Sequence, residues 1–268
     1  MMEALRIYLK LIKIGFKSML QFRADFIMGL LGILGMNAIN LVAISVILLR
    51  FQELGGWTIW EIVFLYGIWM IGNSIFSLLF FHVFALEYYI IEGRFDKFLV
   101  RPLSPFLQFM GDEVDIMGIP DLIFGVTVTT LAMVNLGITF APIQWLFLLV
   151  MLACAPLIEL GIILALSSVA FWTGRSEALA EAAFQINWNL TQQYPLDMFG
   201  RGFRVLVTLF IPVAFLNYYP ARWLLGKTVP GDPFYFLSFL APLAAVILLG
   251  IAAFIWQRGV RAYTSPGN

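Results

Sequence analysis

The chain has 268 residues, of which 62% are hydrophobic and only 12% charged, whereas a soluble domain is roughly a quarter charged and about half apolar. That balance excludes a soluble globular protein and implies a polytopic membrane protein. A formal net charge of zero gives no bulk field that would favour nucleic acid, and the single cysteine, Cys154, excludes an intrachain disulfide and a multi-cysteine metal site.

Residues 4–22 are expected to form a basic amphipathic helix. Arg6, Lys10, Lys13 and Lys17 share one face, and Leu5, Leu9, Ile12 and Phe16 the other, a pattern that suits an anionic headgroup layer. The first long apolar run lacks a small-residue cleavage site and is expected to stay as an anchor. That run, 26–49, holds 24 uncharged residues, about 36 Å of helix against a hydrocarbon core near 30 Å. A short loop precedes a second span at 62–86, with Trp57, Trp60 and Tyr66 expected in the outer aromatic belt. Spans three and four follow at 116–136, with Asp121 near its start, and 144–172, interrupted by Pro156 and Glu159.

The next stretch supports two readings. Residues 203–226 are more apolar but broken at Pro212, and the uninterrupted part is short for a crossing. Residues 176–195 are less apolar but align Glu177, Glu181, Gln185 and Asn189 in one stripe, which membrane depth tolerates only against water or protein. The favoured reading makes 176–195 the fifth span and 203–226 a re-entrant hairpin; the other makes 203–220 the span. The last span is placed at 234–257. Lysine and arginine then divide 11 to five on the first reading and 13 to three on the second. Both put the termini in the cytoplasm with six crossings.

Chemistry-bearing motifs are sparse. LLGKT at 224–228 mimics the end of a phosphate loop but has Ala221 where the motif needs glycine, and Pro230 follows. Any ATP hydrolysis therefore belongs to another polypeptide, and no catalytic, cofactor or metal residue is assigned. His82 stands alone and is expected to pack at an interface. Glu159 is the sharpest single residue, because a carboxylate near the bilayer centre costs about 2.5 kcal/mol or more unless it pairs or protonates. It serves either proton coupling or substrate contact, or a structural hydrogen bond to a neighbouring helix, next to the carbonyl freed by Pro156. With Glu181 it is assigned to the translocation path. A proton-coupled secondary carrier using Glu159 is the alternative function.

Residues 87–113 form the longest charged break and carry eight of the 32 charges. A short helix along the membrane is expected at 88–102, with Tyr88, Ile91, Phe95, Phe98 and Leu99 on one side and Glu92, Arg94, Asp96 and Lys97 on the other. Arg101-Pro102 ends it, since proline disfavours helix at the residue before it.

GRFDKFLVRPLSP at 93–105, AFW at 170–172, YP at 194–195, IPVAFLNYYPARWLLG at 211–226 and WQRGVRAYTS at 256–265 together resemble the permease subunits of bacterial ABC-2 type ABC transporters, most closely a daunorubicin-resistance-like group of similar length. The resemblance implies an all-α export permease of six spans in the bacterial cytoplasmic (inner) membrane. It also implies an N-terminal interfacial helix, a coupling helix in the first cytoplasmic loop and a re-entrant pair before the last span. Gly93, Asp96, Leu99, Arg101 and Pro102 would carry the coupling, together with the charged Arg94 and Lys97 of the same helix. Asn73, Gln185 and Asn189 would line a path at a dimer seam. Implied partners are the lipid bilayer, a second permease, identical or not, and nucleotide-binding subunits that hold ATP and Mg. The family's cargoes range over drugs, lipids and glycans.

Overall fold

The computed structural model describes residues 23–50, 53–112, 118–191, 194–209, 212–228, 231 and 235–265. The basic helix expected at 4–22 lies outside them. Helices are the regular structure throughout, beside one isolated bridge between Leu54 and Trp57. The long ones are α1 (Arg23–Arg50) and α2 (Ile59–Phe80). Three short ones follow, α3 (Leu86–Ile91), α4 (Asp96–Leu99) and α5 (Pro105–Met110). Then come α6 (Gly118–Leu136), α7 (Pro142–Ser167), α8 (Ala170–Thr173), α9 (Glu177–Thr191), α10 (Arg201–Leu209), α11 (Tyr218–Leu224) and α12 (Ala241–Ala262).

Among the described residues, four helical segments are long and apolar enough to cross a membrane: Ile59–Ile91, Gly118–Leu136, Pro142–Thr173 and Ala241–Ala262. A fifth joins them if the pair Gly202–Leu209 and Val213–Leu224, bent by 85°, counts as one span. The chain is an all-α, multi-pass membrane protein. Large apolar side chains such as Ile123, Val134, Leu149 and Val246 point outward, each well over half exposed. That arrangement suits hydrocarbon, which solvates them at no cost.

Helix α2 is the centre of the bundle. Every residue from Ile62 to Ser74 is buried, as a helix apolar on all sides demands. Its start is fixed by Glu61, whose carboxylate accepts from the Thr58 N–H at 2.7 Å, satisfying one of the orphan donors of a helix end. Small residues let α2 and α6 approach closely. A Cβ on Gly67 would lie 2.3 Å from Thr129 Oγ1, and one on Gly118 would lie 2.7 Å from the Ser74 carbonyl oxygen. Gly161 plays the same part between α7 and α12, where a Cβ would meet that of Leu248 at 2.7 Å. Backbone proximity of this kind replaces the missing hydrophobic drive between helices in lipid.

The bundle has two ends. At one lie Trp57, the start of α2, Asp197 and Lys227; at the other lie α3–α5, α8 and the end of α12. Helix α9 connects them. The backbone N–H groups of Ser176 and Glu177 at its start bond to Glu87 at 2.5 and 2.6 Å, while Asp197 just beyond its end bonds to Trp57. Asp197 before the bent pair α10–α11 and Lys227 after it both lie at the Trp57 end, the lysine bound to Glu61 at 2.9 Å.

Several expected features are corrected. The helix expected at 88–102 is two pieces, α3 and α4, because Gly93 adopts φ +68° between them, a conformation without penalty only for glycine. The break turns the register, so Leu86, Tyr89, Ile90, Phe95 and Phe98 are buried while Tyr88, Ile91 and Leu99 are exposed. The span expected at 62–86 leaves α-helical geometry after Phe80 and continues as a tighter 3₁₀ turn over Phe81–Ala85. The last helix starts at Ala241, with Pro242 in its first turn, rather than at 234, and runs on to Ala262. Trp57 and Tyr66, expected in an outer belt, are 1% and 0% exposed; Trp57 packs on Tyr218 of α11 and Tyr66 on Trp69 of its own helix, with centroids 6.1 and 6.3 Å apart.

Candidate functional site

Three polar constellations interrupt the apolar bundle. The first is built on the charged break. Tyr89 stacks on Phe98, and both meet Phe109 edge-to-face, with centroids 5.4 to 6.1 Å apart, and Phe109 lies 5.8 Å from Trp256 of α12. His82 adds its ring 4.7 Å from Phe109, the packing part expected of it. Asp112 clips the segment shut, accepting from Lys97 Nζ at 2.5 Å and Tyr89 Oη at 2.6 Å. Partial burial pushes the Asp112 carboxyl up, but these two donors outweigh it and hold it below the usual aspartate range. Gln108 Nε2 donates to the carbonyls of Phe98 and Leu103 at 3.0 and 2.8 Å, which binds α5 back on α4.

The C-terminal end of the described chain belongs to this base, which the sequence did not suggest. Phe95 sits 5.9 Å from Trp256 and 5.3 Å from Tyr263, and Ser265 Oγ donates to Asp96 Oδ2 at 2.8 Å. Burial first, and the nearby Asp96 carboxylate second, push the Tyr263 phenol up to about 12. Above this base the remaining expected residues form a rim. Arg94 is exposed, with its guanidinium 4.8 Å over the Tyr89 ring; Leu99, Arg101 and Pro102 are exposed, and Gly93, Asp96 and Lys97 are half-buried. Val100, not singled out from sequence, is the most exposed large apolar residue among the described residues, at 82%.

The second constellation lies at mid-bundle. Glu159 is 3% exposed and accepts from Asn187 Nδ2 at 2.8 Å. The partner is on the neighbouring helix α9, so the carboxyl makes a structural hydrogen bond between helices. Asn187 was missed because it lies off the polar stripe, and no local sequence signal marks it. Asn73 is also buried. Its neighbours one turn away on α2, Trp69 and Phe76, meet Trp188 and Phe184 at 4.9 and 6.4 Å, so Asn73 falls on the face of α2 that meets α9. Glu181, Gln185 and Asn189 occupy the opposite, exposed face of α9. They bond along the helix, Gln185 Nε2 to Glu181 Oε1 and Asn189 Nδ2 to the Gln185 carbonyl, each at 2.7 Å. The structure thus joins Glu159 to α9 but does not bring it together with the stripe. Asp121, near the start of α6, is tied to α1 by Asn37 at 2.5 Å.

The third constellation, at the Trp57 end, was not foreseen. Asp197 accepts from Trp57 Nε1 at 2.8 Å and lies 3.1 Å from Arg204 and 3.9 Å from Arg222. Arg222 Nη2 donates to the Lys227 carbonyl at 3.2 Å, and Lys227 Nζ donates to the Gly56 carbonyl at 2.7 Å. Residues from α10, α11 and the loops on either side of them are thereby knotted to the first turn of α2. Lys227, the lysine of the LLGKT string, is engaged in protein contacts on Gly56 and Glu61.

No group of three or more histidine, cysteine, aspartate or glutamate side chains with metal-binding geometry occurs among the described residues. No curated protein and no solved structure matches the chain. A family model described as ABC-2 family transporter protein does match it, over residues 34–267. With nearly its whole length covered and a helical multi-pass bundle on the page, the chain belongs to the ABC-2 transporter family.

Proposed function

We propose that the chain is the membrane-spanning subunit of an ATP-driven ABC-2 exporter, which forms the substrate path and takes up work from separate nucleotide-binding subunits that hold ATP and Mg. The observation that carries this is the construction of residues 86–110. An exposed rim of Arg94, Leu99, Val100, Arg101 and Pro102 rests on a buried aromatic base. A base of stacked rings clipped by Asp112 moves as one body, and an exposed rim with both charge and apolar surface suits docking by a protein.

Six crossings are proposed, α1, α2, α6, α7, α9 and α12, with α10–α11 re-entrant from the periplasm and both termini in the cytoplasm of the bacterial inner membrane. Support comes from α9 joining the two ends and from Asp197 and Lys227 lying at the same one. The exposed row Glu181, Gln185 and Asn189 supports a second permease, like or unlike, facing α9 across the path. Glu159 is read as a tie between α7 and α9, because its carboxylate is already bonded to Asn187.

The test is Arg101→Glu in the purified complex. The exposed position leaves folding and expression intact, and substrate-stimulated ATP hydrolysis is expected to be lost; unchanged turnover would overturn the docking role. Val100→Cys, read against the buried Cys154, should resist an impermeant thiol reagent in whole cells and react once the membrane is opened.

A further inference from the structure

Beside the proposed docking segment, a crevice of about 650 Å³ opens between α5, α7 and the last turns of α12, within the roughly 300–1,000 Å³ usual for small-molecule sites. Leu157 and Leu249 lie deep in it, while Ser104, Gln257 and Arg261 stand at the end nearest the charged loop. A second, shallower groove of about 560 Å³ is lined by Trp172, Phe254 and Arg258, and again by Arg261. At about 100° per residue, Ala253, Gln257 and Val260 of α12 face the first groove and Phe254 and Arg258 the second. Arg261 stands on the ridge between them.

Arg258 and Arg261 are exposed, and neither forms an ion pair among the described residues. Arg258 lies over the Phe254 ring at 5.2 Å. The flank of α12 leading to them is apolar and outward-facing, with Val246, Ile247 and Phe254 more than half exposed. The site therefore pairs two unneutralised guanidinium groups with two apolar channels that run from them toward the interior of the bilayer.

We infer that these grooves bind one anionic phospholipid, its phosphate between Arg258 and Arg261 and one acyl chain in each groove. A free anion would leave the channels empty, and an uncharged lipid would leave the cations unmatched. Guanidinium groups suit phosphate oxygens because their fixed donors match them in pairs. The wall of the deeper groove includes Phe106, packed on Trp256 at 5.4 Å, so the bound chain lies against α5. This inference needs only a membrane location and stands apart from the docking role.

Trp256 and Trp172, one in each groove, serve as reporters. The full chain is placed in phosphatidylcholine nanodiscs containing phosphatidylglycerol with brominated acyl chains, and tryptophan quenching is followed against lipid fraction. Quenching that saturates at a low fraction of brominated phosphatidylglycerol is expected, above the gradual, non-saturating quenching that brominated phosphatidylcholine gives at exposed tryptophans such as Trp145, and the double variant Arg258→Ala/Arg261→Ala should weaken the saturable component at least about tenfold. Millimolar inorganic phosphate should not displace the lipid. Equal quenching by both lipids, an unchanged double variant, or displacement by phosphate alone would each overturn the site. Ala253→Phe, which fills the deeper groove, should remove phosphatidylglycerol adducts seen by native mass spectrometry. The two exposed arginines keep the test decisive if that variant does not fold.

Discussion

Asp197→Ala tests the knot at the Trp57 end. The aspartate takes a hydrogen bond from the Trp57 indole at 2.8 Å, and a bond to a charged acceptor contributes about 1.5–3 kcal/mol. Its ion pairs to Arg204 and Arg222 join side chains 10–21% exposed, so screening limits them to about 1 kcal/mol more. Arg222 keeps its bond to the Lys227 carbonyl in the variant. The sum, about 2.5–4 kcal/mol, is a roughly 60- to 700-fold rise in the population with α10–α11 undocked. Hydrogen exchange on the purified protein reads this directly, because local opening sets amide protection. Protection in 213–227 and 54–61 should fall by that factor while 118–136 is unchanged. Asp197→Asn, which keeps an acceptor for the indole but loses the charge, should fall between. Wild-type protection of 213–227 in the alanine variant would refute the reasoning.

Gly67→Ala places a methyl 2.3 Å from Thr129 Oγ1 and 2.9 Å from its backbone nitrogen, and overpacking of this kind costs about 1–3 kcal/mol. A fall of several degrees in the unfolding temperature in detergent is expected, and an unchanged temperature would mean that α2 and α6 do not cross there. Asn187→Ala removes the donor to Glu159 and strands a buried carboxyl, at about 1–3 kcal/mol or more, whereas Glu159→Gln retains a hydrogen-bonding partner for Asn187. Transport should therefore survive Glu159→Gln and fail in Asn187→Ala; a folded but inactive Glu159→Gln would favour the proton-coupled carrier instead.

What the sequence made legible follows from the physics of each signal. Long apolar runs overlap α2, α6 and α7, because a helix of bilayer length needs that many apolar residues. Glycine was harder to read. Gly93 stood out as part of a motif, but its left-handed backbone, which breaks the coupling helix and turns Tyr88 and Leu99 outward, depends on a conformation that composition does not reveal. Long-range polar pairs were invisible for a similar reason. Glu159 asked for a partner, yet nothing local distinguished Asn187 from Gln185 or Asn189 until α7 and α9 were set side by side. Asp197, in a short turn between two ambiguous segments, carried no periodic signal at all.

Glu87 links these observations into one mechanical requirement. It sits on α3, and its carboxylate caps α9 by accepting from the backbone N–H of Ser176 and Glu177, where negative charge complements the positive end of a helix. The start of α9 offers bare N–H groups that need an acceptor, and the carboxylate supplies one. If work enters at residues 86–110, the base of stacked rings passes it to α12 through Trp256 and to α9 through Glu87, and the two routes differ in kind. The aromatic route is a broad packed surface that resists sliding; the Glu87 route is a pair of hydrogen bonds that pulls one helix end along its axis. Helix α9 also carries the exposed polar row, and Asp197, just past its end, holds Trp57, so under the proposed function an axial pull on α9 at Glu87 loads the Asp197–Trp57 bond at the other end of the bundle.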